Sequence, residues 1–295
     1  MSTPGLILSR RQTFAFISPA FAIIAVFLMF PAVWALYLGL TDLELTGIRA
    51  VMPEFVGLSN FVRVFQDSFF YNALKISLVF VFGSGIIGQV GLGLLLALLM
   101  HREKSWIKTL VAASAIAAWI IPDVVVAYLW VAFLDSDFGL LNRGLKLVGL
   151  GPVNWLFHYP LFSIILFNTW RGTAFSMLLF SAALQTLPPS YLETADTLGA
   201  SAWRRFRDII LPLLKTTILT DVLLITLWTF NVFTPFLLTG GGPSFSSEIL
   251  PIYVYRTSFK YFKLGYGSAI STVLLLINLA FALVYLQAKR RQKKW

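Results

Sequence analysis

Not one cysteine occurs in the chain, which excludes disulfides and thiolate metal centres outright. Histidine is nearly as scarce, and His101 and His158 stand far apart with no metal-ligand spacing around either. No nucleotide cradle is encoded: the G-x-x-x-x-G-K-[ST] pattern is missing, and so is any Gly-Lys pair. H-E-x-x-H is missing too, and no nucleophile–base pairing stands out, so an enzyme reading has little to rest on. Charge is the last shortage. Only 12% of the 295 residues are charged and 58% are hydrophobic, which leaves more apolar surface than one soluble core can hide.

What fills the chain instead is a series of long apolar runs. A membrane-crossing helix needs about 20 mostly apolar residues, and six stretches qualify: 14–40, 73–100, 108–134, 160–185, 212–238 and 267–288. The fold expected is an all-α membrane protein with six transmembrane helices, forming one transmembrane domain over residues 1–295. Arg10 and Arg11 before the first run look like the start of a signal peptide. The run continues to Leu40 with no small-residue cleavage site, so it is expected to stay as a span. Pro31 and Pro122 fall inside the first and third runs, where membrane helices tolerate proline if neighbours re-satisfy the freed carbonyl.

The net charge of +10 sits in short basic runs between apolar spans, a pattern of membrane topology rather than of nucleic-acid binding. With the N-terminus inside, the inner segments collect 14 of the 23 basic residues, including Arg102, Lys104, Arg204, Arg205, Arg207 and the tail from Lys289 to Lys294. Both termini are therefore expected in the cytoplasm. The outer loops, 41–72, 135–159 and 239–266, are too short for a sizeable domain, so recognition of a bulky solute would fall to a separate protein. The third contains Thr239-Gly-Gly-Gly-Pro243, which cannot continue a helix and serves either as a tight helix exit or as a partner-contacting or gating loop. Ser84, Gly88 and Gly91 are spaced to share one helix face, as close helix packing requires.

One polar island interrupts the apolar runs. Tyr191 to Pro212, YLETADTLGASAWRRFRDIILP, reads as a short helix, a glycine-bearing turn and a second, basic helix leading back into the membrane. Nothing in it is catalytic; it has the character of a handle for another protein. Its spacing resembles the cytoplasmic signature of binding-protein-dependent ABC importer permeases: Glu-Ala-Ala, three residues, Gly, nine residues, Ile, one residue, Leu-Pro. Glu193, Ala195, Gly199, Ile209, Leu211 and Pro212 fall on register, with Thr194 at the middle alanine and Leu198 where many sugar permeases carry Asp.

Further segments look like the maltose and glycerol-3-phosphate type of carbohydrate permease. They are Ser18-Pro19, Phe55-Val56-Gly57-Leu58 with Asn60-Phe61, Gly139-Leu140-Leu141-Asn142 and Trp170-Arg171 with Leu184-Gln185. The TGGGP loop and Phe259 with Gly265-Tyr266-Gly267-Ser268-Ala269 extend the likeness. The resemblance implies a permease subunit of an ATP-driven importer for a sugar or sugar derivative, working by alternating access in a bacterial-type inner membrane. It implies a second permease, two copies of a nucleotide-binding ATPase and an extracytoplasmic solute-binding protein as partners. ATP and Mg would belong to the ATPase, with no cofactor and no metal on this chain. Within a cytoplasmic segment 186–211, Glu193, Ala195, Asp196, Gly199 and Ala200 would be the ATPase-coupling positions, Gly199 giving a turn too tight for a side chain. A permease for another small polar solute is the alternative, then an ion-coupled secondary transporter, which would not need such a handle.

Ionisable groups inside a bilayer cost roughly 2.5–3.5 kcal/mol each and usually face protein. Arg171, Asp123 and Asp221 are of this kind. At about 1.5 Å per residue, Arg171 lies roughly 16 Å below the outer face and Asp221 roughly 14 Å above the inner one, nearly level in a core about 30 Å thick. Arg171 is expected to pair with Asp221 or with Asp123, or to meet solute hydroxyls. Asn168, Trp170, Arg171, Asp221, Trp228, Asn231 and Phe233 are the candidate substrate-pathway residues, because sugar routes combine amide and hydroxyl groups with aromatic faces.

Overall fold

The computed structural model describes residues 10–101 and 106–292, and these are mostly helical. Arg102, Lys104, Lys293 and Lys294, four of the basic residues in the charge bias, lie outside the described residues. In chain order the helices used below are α1 (Arg11–Gly39) and α2 (Ser68–His101). They are followed by α3 (Trp106–Ile120), α4 (Asp123–Phe133), α5 (Leu140–Leu147), α6 (Pro160–Gln185) and α7 (Pro189–Thr197). Last come α8 (Ala202–Arg205), α9 (Leu211–Asn231) and α10 (Leu264–Gln292). Among the described residues, four helices are long and apolar enough to cross a membrane: α1, α2, the run Ala202–Thr239 that contains α8 and α9, and α10. The pair α3 and α4 makes a fifth if it is one bent span.

The 26-residue α6 is not among them, because it carries Asn168, Thr169, Arg171, Thr173 and Ser176. The reason is burial. Ile164, Phe167, Ala174 and Phe180 of α6 are fully covered by protein, so this helix does not need a lipid-like surface. The opposite extreme is α1, whose apolar window has no buried residue and exposes Phe14, Phe21, Phe27 and Phe30.

Proline acts in two different ways. Pro31 and Pro212 each follow a π-helical turn, Ala25–Met29 and Phe206–Ile210, that ends two residues earlier. The wider i→i+5 turn makes room for a ring that would otherwise strike the carbonyl one turn back, and the helix continues. Pro122 is not absorbed in this way. It takes an extended ψ of 140° as the N-cap of α4, and α3 and α4 meet at 111°. The unbroken third span expected over 108–134 is therefore split, because proline also drives the residue before it out of the helical region. The expected span 212–238 is likewise interrupted: α9 ends at Asn231, Val232 is extended, and helix resumes only at Phe236.

Contacts divide the chain into two compact units: Met1–Gln66 with Val254–Leu275, and Asp67–Tyr253 with Leu276–Trp295. In the first unit, Asn60 ties the end of α1 by donating to the carbonyls of Gly39 (3.0 Å) and Thr41 (2.8 Å). Gly265 donates its N–H to the Leu43 carbonyl at 2.8 Å, and a side chain there would run into the Thr41 carbonyl. Several of the motifs that carry the family resemblance are thus structural pins. In the second unit Asn142 does the same for the 135–159 loop, donating to Asp135, Ser136 and Val153 carbonyls and accepting from the Val153 N–H and the Trp155 indole.

The second unit is built on the seam between α2 and α6. Ser84, Gly85, Gly88 and Gly93 of α2 are buried, and a Cβ on Gly88 would collide with Thr169, one on Gly93 with Ser176. Gln89 of α2 occupies in turn the space left open at Gly172 of α6. Gly91, expected on this face, is exposed. The cause is the π-helical stretch Val81–Gly91, whose wider turn rotates later residues off an α-helical phase. Small residues give the two backbones close van der Waals contact, which drives helix association where lipid leaves no hydrophobic difference. Gly88→Val is expected to cost about 1–3 kcal/mol by overpacking, read as a lower melting temperature of detergent-purified protein. Gly91→Val should leave the melt unchanged, and equal losses at both positions would contradict the π-helical phase.

Candidate functional site

Polar side chains from α6, α9 and the break after α9 meet α2 and the α3–α4 bend around a cavity of about 490 Å³. Its walls include Gln89, Trp119, Asp123, Asn168, Arg171, Phe175, Trp228, Thr229, Asn231, Phe233 and Thr234. Of the candidate pathway residues, the structure brings Asn168, Arg171, Trp228, Asn231 and Phe233 together here. Trp170 is not in the lining; its ring packs against Trp130 with centroids 5.7 Å apart.

Asp221 is not in the lining either. It is completely buried toward Ser176 of α6, and neither its two carboxylate oxygens nor the Ser176 hydroxyl has a hydrogen-bond partner of good geometry. The charge partner of Arg171 is Asp123, which accepts from an Arg171 terminal nitrogen through Oδ1 and from the Thr234 hydroxyl through Oδ2 at 2.8 Å. Of the two acids expected as partners, Asp221 is level with Arg171 only along straight spans. The bend at Pro122 puts Asp123 in the first turn of α4 instead, where a helix N-terminus favours a carboxylate.

The remaining polar groups hold one another across helices. The Asn168 amide donates to the Ser84 hydroxyl at 2.9 Å, and the Ser84 hydroxyl donates in turn to the Phe80 carbonyl at 2.7 Å. Gln89 reaches the Thr229 hydroxyl at 3.4 Å. Asn231 and Asn278 exchange amide hydrogen bonds of 2.9 and 3.1 Å. Phe175 sits between Trp119 and Trp228, edge-on to the latter at 5.0 Å between centroids. Sequence alone does not single out Gln89 and Thr234, although a lone Gln in an apolar span is a usable signal. Such a wall offers amide and hydroxyl groups together with ring faces, and one compensated ion pair.

A second site is the polar island. Gly199 has φ of +70°, its N–H bonds to the Asp196 carbonyl at 3.0 Å, and the Ala200 N–H bonds to the Ala195 carbonyl at 2.9 Å. This is the Schellman ending of α7, in which a left-handed residue closes the last turn. A Cβ on Gly199 would meet nothing within 4 Å. The expected turn too tight for a side chain is therefore not found; glycine is there because a residue with a Cβ would lose about 1–2 kcal/mol in the left-handed backbone. Ser201 then caps α8, accepting from the Arg204 N–H at 3.4 Å, and an Asp196–Arg205 ion pair clasps the two helices. Ala195 is buried, whereas Glu193, Tyr191, Leu198 and Trp203 are exposed, Leu198 at 81%. In the TGGGP loop, Gly240 is the left-handed end of the short helix Phe236–Thr239, and Thr239 and Ser247 share a hydroxyl hydrogen bond of 2.8 Å, so the helix-exit role is present.

Comparison with known proteins gives consistent matches. Residues 89–294 match the family described as "Binding-protein-dependent transport system inner membrane component". The trehalose/maltose transport system permease protein MalF of Thermococcus litoralis is 32% identical, covering 93% of this chain and 92% of its own length. The sulfoquinovosyl glycerol transport system permease protein SmoG of Agrobacterium fabrum is 30% identical, covering 93% and 89%. Among solved structures, a chain of a bacterial ABC transporter involved in import of the acidic polysaccharide alginate superposes with a TM-score of 0.79 at 22% identity, over 95% of each chain. That last likeness concerns fold alone.

Because a buried carboxylate with no hydrogen bond is costly, Asp221→Asn should leave the melting temperature of the purified protein unchanged or raise it. A loss of about 1 kcal/mol or more would mean that the carboxylate is held by a partner in the membrane.

Proposed function

The chain belongs to the binding-protein-dependent transport system inner membrane components, and we propose that it is the permease through which an ATP-driven importer moves a sugar or sugar derivative. It is a multi-pass membrane protein. The observation that carries the sugar reading is the lined cavity: amides, hydroxyls and aromatic rings gathered inside an otherwise apolar bundle. A polar group in a membrane interior is expensive unless it has work or a partner, and such pockets orient ligands through a few polar groups among apolar walls. Relatives named for trehalose, maltose and sulfoquinovosyl glycerol transport support the same class.

The membrane path counts six spans when the covered α6 and the bent α3–α4 pair are included, with both termini in the cytoplasm and residues 1–295 acting as one permease domain. The family match runs through both compact units, which supports that last reading. The α7–α8 hairpin is the coupling segment, with Glu193, Ala195, Asp196, Gly199 and Ala200 at its contact with a nucleotide-binding ATPase. Exposed Tyr191, Leu198 and Trp203 give that contact an apolar footing. ATP and Mg are bound by two copies of the ATPase, and a second permease and an extracytoplasmic solute-binding protein complete the assembly. Solute is passed through the Asn168, Arg171, Trp228, Asn231 and Phe233 wall by alternating access, with Trp170 and Asp221 as supports behind it.

A mild-detergent pull-down of the tagged chain from its native membrane should bring down a second permease and an ATPase, and proteoliposomes of that complex with its binding protein should take up sugar only with ATP. A chain recovered alone that still carried solute without ATP would sink the reading. Gly199→Glu should leave insertion and protein level intact and abolish both ATPase recovery and uptake, since a Cβ there meets no atom of this chain and the left-handed backbone costs only about 1–2 kcal/mol. Normal uptake by that variant would remove the coupling role.

A further inference from the structure

Among the described residues, the cavity lining has two charged groups, Arg171 and Asp123, and they are paired with each other. Asp123 accepts from Arg171 through Oδ1 and from Thr234 through Oδ2, so each oxygen already holds a donor, while the buried Nε of Arg171 has no hydrogen-bond partner of its own. The remaining lining is amide, hydroxyl, aromatic and aliphatic. Asp221, one turn before the lining residue Ile225 on α9, is shut off by burial. Ionised, it adds negative charge near the wall; protonated, it adds none. Neither state turns the cavity positive.

An anionic solute in a low-dielectric site needs uncompensated positive charge, and here the charge of Arg171 is balanced by the Asp123 carboxylate even though donors of the guanidinium remain. We infer that this wall accepts uncharged sugars and rejects sugar acids and sugar phosphates, and that Asp123 sets the choice by cancelling the charge of Arg171. Asp123 thus acts as a specificity-determining residue without having to touch the solute. The exposure of the pair fits that role: the Asp123 side chain is 48% accessible and that of Arg171 20%, so the carboxylate stands toward the open side of the pair. The inference rests on the reading of this cavity as the sugar path.

The test uses the complete membrane complex in nanodiscs, without its soluble binding protein, so that only the cavity is read. Maltose and glucuronate are titrated against the intrinsic fluorescence of the tryptophans, of which Trp119 and Trp228 line the site. Wild type should bind maltose at least about tenfold more tightly than glucuronate, and Asp123→Asn should shift that ratio by about tenfold or more toward glucuronate. The neutral double variant Asp123→Asn with Arg171→Gln should retain a preference for maltose, and it carries the test alone if the single variant fails to assemble. Tighter glucuronate binding by wild type or by the double variant would overturn the inference, as would an unchanged ratio in assembled Asp123→Asn. A complex that transports sugar with its binding protein yet shows no quenching by either probe would overturn the inference while leaving the importer reading intact. Absence of ATP-driven sugar uptake altogether would sink that reading and this one together.

Discussion

The close approach of α2 and α6 is the contact on which the second unit depends. In lipid the hydrophobic effect does not drive helices together, so a tight interface has to come from shape and from hydrogen bonds between polar groups that lipid cannot satisfy. Gly88 against Thr169, Gly93 against Ser176, and Gln89 filling the space at Gly172 provide the shape. Asn168 to Ser84 and Gln89 to Thr229 provide the bonds. Once α6 is enclosed in this way its polar residues become affordable, and the cavity is the part of that polar face left uncovered.

The two functional features place different demands on the chain. The cavity needs side chains aimed inward at fixed positions, and two breaks provide them. Pro122 starts α4 where Asp123 can meet Arg171, and the stop after Asn231 turns Phe233 and Thr234 into the lining. In the coupling role proposed for it, the polar island needs a backbone that transmits force without folding up. Its Schellman turn, its serine cap and the Asp196–Arg205 pair supply stiffness from local interactions alone. That is why its outline is legible in the one stretch from Tyr191 to Pro212, whereas the cavity is assembled from several separate segments.

Sequence and structure part where helices leave a straight α-helical phase and where a backbone angle rather than space constrains a residue. Gly91 was put on the packing face by counting at 3.6 residues per turn, and the π-helical stretch before it removed it from that face. A uniform rise along intact spans levels Asp221 with Arg171, yet of the two acids expected as partners it is Asp123, after the 111° bend, that meets the arginine. Gly199 was credited with a steric role when its constraint is conformational. In each case the residue type was informative and the geometry was not available from spacing.

The sequence by itself determined the class: a shortage of charge, long apolar runs, and a polar island whose register is set by local capping and turn preferences. These depend on composition and on neighbours within a few residues, which a linear chain states directly. Tertiary structure alone decided which acid neutralises Arg171, which small residues form the seam, and that α6, too polar to face lipid, can be a core helix because other helices cover it. Those outcomes depend on helix breaks and wide turns that redirect whole segments, and a small local change in backbone angle there moves distant side chains into or out of contact.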